Sequence, residues 1–438
     1  MCHSLPLAIA GSFALALASC ATYQPAPLPA TPTLARSSEP APADRWTASD
    51  VVAMVLRDNP DLKAVRTQLA VAQAARIQAG LLPDPTISGA YLPLMAGVGT
   101  TAAWNAALSE DLRGLVTLSA RREGAKAAEL QVDAQVLWQE WQTAAQAKLL
   151  FVQIVEGDRA LAVQRESAAL FAERDRRLQA ALARGDASLA AVAPDLAALQ
   201  AARAQVDTSE RQQLSRRHQL NALLGREPDA SLPLAENAMV AEPDLTRVDQ
   251  RGADISKRRP DLIALRLGYR AQEARVRLAV LMQFPVFDLG LAGASDNSNV
   301  RNLGPQISTS LPIFDGNRGD VAVQRATRAQ LRAEYQARLD AAYGQLRAAV
   351  SELKASEAAL AVVGADLPGA RRAKDQAERA LEAGAIDELA YADLAGAFFA
   401  KASEAATLEE SVLEQRLAIG AITGDGLPAV QDLPDTAE

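Results

Sequence analysis

Few side chains in this chain could do covalent chemistry. Its 438 residues include two cysteines and two histidines. Cys2 and His3 sit at the extreme N-terminus, Cys20 ends an apolar run, and His218 follows Arg216 and Arg217. These make no disulfide framework and no cluster with zinc-ligand spacing. A histidine base would rest on His218 alone, whose charged helical context reads as solvated surface. There is no P-loop, no dinucleotide-binding fingerprint and no nucleophile–histidine pattern. An enzyme is therefore not expected, nor a metal or cofactor. What remains is fixed charge. Asp186 adjoins Gly185 and Asp195 lies further along, while Asp387, Glu388 and Asp393 follow Gly384. Each of these acids reads first as part of a solvated helix face.

The elements that would position them are repeated. Between positions 60 and 85 and again 200 residues later, Pro60/Pro260, Asp61/Asp261, Leu62/Leu262, Arg66/Arg266, Leu81/Leu281 and Pro85/Pro285 coincide, with three alanine matches besides. An alanine-rich composition does not explain the six. The spacing is too long for a solenoid, so the chain reads as two halves, 46–235 and 236–424.

In the first half, Thr47-Ala48-Ser49-Asp50 opens a helix and Pro60 opens a second, which Pro83 and Pro85 stop. Thr86–Leu94 and Thr101–Leu108 read as strands around a glycine-containing loop. Each approaches the length a tilted strand needs to cross a bilayer. No proline interrupts Leu115–Arg184. There Leu130, Leu137, Trp141, Ala145, Leu149 and Val152 form a packing stripe. At 1.5 Å per residue this helix would be roughly 100 Å long. Gly185-Asp186 turns the chain into a return helix, Ala187–Leu224.

The second half starts with a polar connector, Glu236–Gly252. The repeated helix runs from Pro260 to Met282. Strands are expected over Val286–Ala294 and Gln306–Phe314, with Ser295–Pro305 as a polar loop. A long helix follows, with Pro368-Gly369 kinking or briefly breaking it. It turns at Gly384, and a return helix reaches Ile422. Residues 425–438 read as a loose acidic tail. Tyr91, Trp104, Phe284 and Phe287 suit either an aromatic girdle at a membrane interface or core packing.

The N-terminus reads as an export signal over residues 1–19, with Leu7–Ala18 apolar and too short to span a bilayer as a helix. Leu17-Ala18-Ser19-Cys20 resembles the bacterial lipoprotein signal, which would make Cys20 the acylated first residue and a membrane anchor. Ala21 after it favours the outer membrane by the same resemblance. The absence of Lys or Arg before the apolar run departs from that pattern. Residues 20–45 contain six prolines, Pro25 to Pro42, and read as an extended tether. The composition, 49% hydrophobic and only 4% aromatic, favours long helices. A net charge of -8 without a basic run argues against nucleic acid.

Asn59-Pro60-Asp61-Leu62, Ala79-Gly80-Leu81-Leu82-Pro83-Asp84-Pro85, Arg258-Arg259-Pro260-Asp261-Leu262, Leu311-Pro312-Ile313-Phe314-Asp315-Gly316 and Leu381-Glu382-Ala383-Gly384-Ala385-Ile386, in this order, resemble the TolC-like outer membrane efflux channel family, in its lipoprotein branch. The resemblance covers about 46–424. It implies a mainly α fold with a small β part: a long antiparallel α-helical barrel and four transmembrane strands per protomer, closing a 12-stranded barrel in a homotrimer. It implies a passive exit duct for drugs, metal ions or other small solutes, reaching from the outer membrane into the periplasm to a periplasmic adaptor protein and an inner-membrane pump. The outer membrane duct of a type I protein secretion system and a structural periplasmic coiled-coil lipoprotein are the alternatives. In that family two aspartates often follow the second tip glycine by six and nine residues; here the positions are Ala390 and Asp393. Asp393, Asp387, Glu388, Asp186 and Asp195 become candidates for an aperture ring, since carboxylates around an axis select cations.

Overall fold

Proline opens the same helix twice. The computed structural model describes residues 25–34, 45–186, 188–425 and 427. The signal segment, Cys20, most of the tether and the end of the acidic tail lie outside these. Residues 25–34, taken by themselves, are exposed and irregular. After α1 (Ala48–Asp58), α2 (Pro60–Ala79) starts at Pro60, where a missing N–H leaves nothing unsatisfied. Asn59 caps it, accepting from Leu62 N at 2.9 Å and donating to Leu223 O at 2.9 Å. In the second half α7 (Pro260–Leu281) starts in the same way, but Arg259 stands at the cap position and cannot accept. It instead pairs with Asp261 at 2.8 Å and lies 4.8 Å over the Trp138 ring. Leu62 and Leu262 behind these starts are both fully buried.

β1 (Thr86–Leu92) and β2 (Ala103–Asp111) lead into α3 (Arg113–Arg184), 72 residues or about 108 Å long. α4 (Leu189–Leu223) returns along it. β3 (Val286–Ser295) and β4 (Arg301–Ser310) lead into α8 (Arg318–Glu382), and α9 (Glu388–Thr423) returns. α3 is the common neighbour: α1, α2, α4, α7 and α9 all pack on it. Its tightest seam is small. Ala120, Ala127, Ala134 and Trp141 are buried at heptad spacing, with Ala134 against Ile263, Ala264 and Leu267 of α7. Leu130, expected in the packing stripe, only flanks this seam, because alanines let two helix backbones approach more closely than leucines do.

The polar connector is helical in part: Asp244 caps α5 (Leu245–Ala253), accepting from Thr246 N at 3.0 Å, and α6 (Ile255–Arg258) follows. One apolar residue, Val248, fastens it to Leu346, Leu353, Val412 and Ile419. β4 begins at Arg301 and runs through Pro305, so the loop is only 296–300. Proline is tolerated there because β4 is an edge strand of the protomer. The Asp296 carboxylate closes the short loop by accepting from Ser298 N at 2.8 Å and Val300 N at 2.9 Å. Finally, α8 is unbroken at Pro368, where one lost hydrogen bond is outweighed by the packed turns on both sides.

The four strands form one antiparallel sheet in the order β1-β2-β3-β4, with β2 against β3 joining the halves. Truncating a duplicated anchor should be felt across the fold. Leu262→Ala is expected to cost about 2–5 kcal/mol, read as a lowered thermal midpoint of the detergent-solubilised protein. An unchanged midpoint would show that the helix start does not carry the packing.

Candidate functional site

Register divides the sheet into two unlike faces. Residues directly opposite across a ladder share a face. Tyr91 pairs with Trp104, Ile87 with Leu108, Leu108 with Leu291, and Leu291 with Pro305. That face also carries Phe287, Leu289, Leu303 and Ile307, and its large apolar side chains are 40% to 75% exposed. The other face presents Ser88, Asn105, Ser109, Asp288, Gln306 and Ser308. An uncovered apolar face backed by a polar one is the pattern of a strand set between lipid and water. Tyr91 and Trp104 stand at its loop end, Phe287 and Phe284 at its helix end. No helix among the described residues is long and apolar enough to cross a membrane.

At the helix end of the polar face, Asp111 lies directly opposite Asp288. Asp111 accepts from Arg113 N at 2.7 Å, and Asp288 accepts from the Ser308 hydroxyl at 3.2 Å. Like charges directly opposite destabilise a sheet. Asp111 was hidden in the sequence because the strand was expected to stop at Leu108.

The second charged station is the far end of the helices. Two left-handed glycines, Gly185 (φ 78°) and Gly384 (φ 70°), terminate α3 and α8. Both turns close alike: Asp186 N donates to Ala181 O at 2.9 Å, and Ala385 N to Ala380 O at 2.8 Å. Any side chain at either glycine would strain the backbone.

The five sequence-derived acids are brought to this end but do different things. Asp387 caps α9, accepting from Ala390 N at 2.8 Å. Asp186 pairs with Arg184 at 2.9 Å on the surface. Glu388 accepts from Arg177 of α3 at 2.6 Å. Asp195 is buried in α4 and bound to Arg174 at 2.7 Å, so its carboxylate faces the helix pair rather than open space. Asp393 is the open one, its side chain 74% exposed, with Arg174 at 3.9 Å.

Arg174 thus touches acids on two return helices, and Arg177 holds a third. Sequence reading passed over both. Glu173-Arg174-Asp175-Arg176-Arg177 looks like a solvated charge run, and only the neighbouring helices bury Arg174, to 9% exposure. Glu173 completes the station, accepting from Arg177 at 2.8 Å and pairing with Arg176. The Arg177 hydrogen bond, with the charges of Arg176 and Arg177, holds the Glu173 carboxyl below the usual range. Among the described residues no three His, Cys, Asp or Glu side chains stand where they could share a metal ion. The station is electrostatic: it fastens helices and presents negative charge.

No curated protein matches the chain significantly in sequence. Residues 253–425 match the family model of the outer membrane efflux proteins. In structure the chain is similar to the outer-membrane channel OprN, with a TM-score of 0.72, 19% identity, and 93% of this chain and 100% of that one covered. It is similar to a membrane protein from Pseudomonas aeruginosa at a TM-score of 0.70 and 18% identity, covering 92% and 100%. The outer membrane protein VceC from Vibrio cholerae gives 0.70 and 16%, covering 87% and 97%. Residues 253–425 thus carry the outer membrane efflux protein match, and the chain as a whole shares the fold of these outer-membrane channels.

Proposed function

We propose that three copies of this chain close a 12-stranded barrel and form a passive duct, the outer membrane exit of a tripartite efflux system for small solutes. The observation that carries this reading is the two-faced sheet. Its apolar face is suited to lipid, yet β1 and β4 each lack a neighbour on one side within the protomer. Unpaired backbone groups are costly in hydrocarbon, so a spanning sheet must close on itself. Threefold repetition pairs each β4 with the next β1 and removes every edge. The polar face then lines the lumen. The long helices continue the wall into the periplasm, where an adaptor protein and an inner-membrane pump would meet the turns at Gly185 and Gly384.

In this reading acylated Cys20 anchors the chain, and the tether delivers it to Trp46. There the backbone is held firmly: Trp46 N donates to Pro233 O at 2.7 Å, and Ala235 N to Trp46 O at 2.9 Å. Asp393 is the best-placed aperture acid, being exposed where Asp195 is not. Asp111 and Asp288 would add a second ring at the base of the barrel.

Purified protein in a planar bilayer should give single-channel currents from a trimer; a silent monomer would sink the duct. Asp393→Asn should lower cation selectivity, read as a smaller reversal potential in a salt gradient. If Asp111→Asn with Asp288→Asn moves that potential while Asp393→Asn does not, the filter lies at the barrel base instead. Arg174→Ala leaves Asp195 buried without its partner, a loss of about 3–5 kcal/mol for a broken buried pair. Faster hydrogen exchange over residues 192–200 should report it. The tip should also respond to acid. Because the Glu173 carboxyl is held low, its contribution is complete above the ordinary carboxylate range and is lost as pH falls through the lowered value. Exchange protection at residues 170–178 should therefore persist at neutral pH and fall only in strong acid, and Glu173→Gln should abolish that dependence.

A further inference from the structure

Far from the tip, α3 carries a glycine that its own helix does not want. Glycine costs up to about 1 kcal/mol relative to alanine inside a helix, so a buried one has a packing reason. At Gly157 the reason is two side chains from α4. An added Cβ would lie 1.6 Å from Gln213 Nε2 and 2.7 Å from Arg216 Nη1. Both side chains lie flat across α3 and donate to the Gln153 carbonyl, Gln213 at 3.2 Å and Arg216 at 2.7 Å. From there Arg216 Nη2 reaches Glu410 of α9 at 2.8 Å. Alongside, Gln153 Nε2 donates to Glu414 of α9 at 2.6 Å. α4 and α9 each pack on α3, and at this level α4 reaches α9 over the notch.

The charges around the notch are few and close. From α3 come Glu156, 4% exposed, and Arg159, which pairs with it at 3.0 Å. From α4 comes Arg216, and from α9 come Glu410 and Glu414. On the opposite flank Arg416 ties α9 to Glu357 of α8 at 2.9 Å. Burial raises the Glu410 carboxyl, and Arg216 is the cation that opposes this.

We propose that the Gly157 notch is a second lock on α9, joining it to the α3–α4 pair independently of the tip. Glu410 lies about 26 Å along α9 from Asp393 at 1.5 Å per residue. With both locks made, α9 is held at two heights. With the tip released, α9 turns about the notch rather than sliding along α3. The consequence for transport rests on the duct reading, since α9 carries Asp387, Glu388 and Asp393; the lock itself does not.

Hydrogen exchange on the full-length protein tests it. Gly157→Ala improves the intrinsic helix preference of α3 but displaces Gln213 and Arg216. Amides at 405–416 of α9 should then exchange about tenfold faster, while 388–398 stay unchanged. Arg177→Ala should do the reverse. Glu410→Gln keeps a neutral acceptor for Arg216 and should retain protection; Glu410→Ala should lose it. Wild-type exchange over 405–416 in Gly157→Ala, or equal rises there in Gly157→Ala and Arg177→Ala, would overturn the lock. Bilayer currents judge the duct separately: a silent protein that still shows this exchange pattern loses the duct reading and keeps the lock.

Discussion

Five helices, α1, α2, α4, α7 and α9, find their place along α3. A helix of 72 residues cannot bury itself, and helices in proteins gain most of their stability from packing. α3 is therefore covered on several sides by different partners at different heights. Near the sheet its alanine seam meets α7. In the middle, Ala144, Ala147, Phe151 and Val155 meet α1, and Leu220 of α4 joins the same cluster. Toward the far end, Arg174 and Arg177 take over from apolar contact. The change from small to large to charged side chains along one helix sets how closely each neighbour approaches.

Close to the turns, ion pairs join the apolar contacts between helices. Apolar packing is strongest around the middle of α3, where several helices surround it. Toward the turns fewer neighbours remain, and ion pairs carry the specificity. Arg174 is an instance of a buried cation kept in place by one buried and one exposed acid. Such pairs add little net stability but strongly penalise being broken.

The two halves show how a duplicated backbone outlives its side chains. Pro60 and Pro260 open equivalent helices, and Leu62 and Leu262 bury equivalently. Yet one junction is capped by an asparagine amide, while at the other an uncapping guanidinium is held between Asp261 and Trp138. The residues shared by the two halves are those the backbone geometry needs; the cap position differs, with Asn59 bonded to Leu62 N and Arg259 to the Asp261 carboxylate. The sheet repeats the lesson. Each half supplies one hairpin, and β2 against β3 makes one surface of the two.

Much of this plan was legible in the residues themselves. Proline and glycine punctuate the chain, and their local demands hold in any context. They placed the helix starts at 60 and 260 and the turns at 185 and 384. Long proline-free stretches announced α3 and, interrupted once, α8. Partner choice was not legible. The run at Glu173–Arg177 reads as surface, and only α4 and α9 decide that Arg174 is buried while Asp393 stays open. β4 was expected to begin only after Pro305, and it begins at Arg301. Gly157 gives no sign of its role until Arg216 crosses it. Local backbone preference is a property of a few consecutive residues, so the sequence alone determines the helix starts and turns that proline and glycine mark, but not the strand ends. Burial, charge pairing and the sharing of a face between strands depend on residues tens to hundreds of positions apart, and only the tertiary structure brings those together.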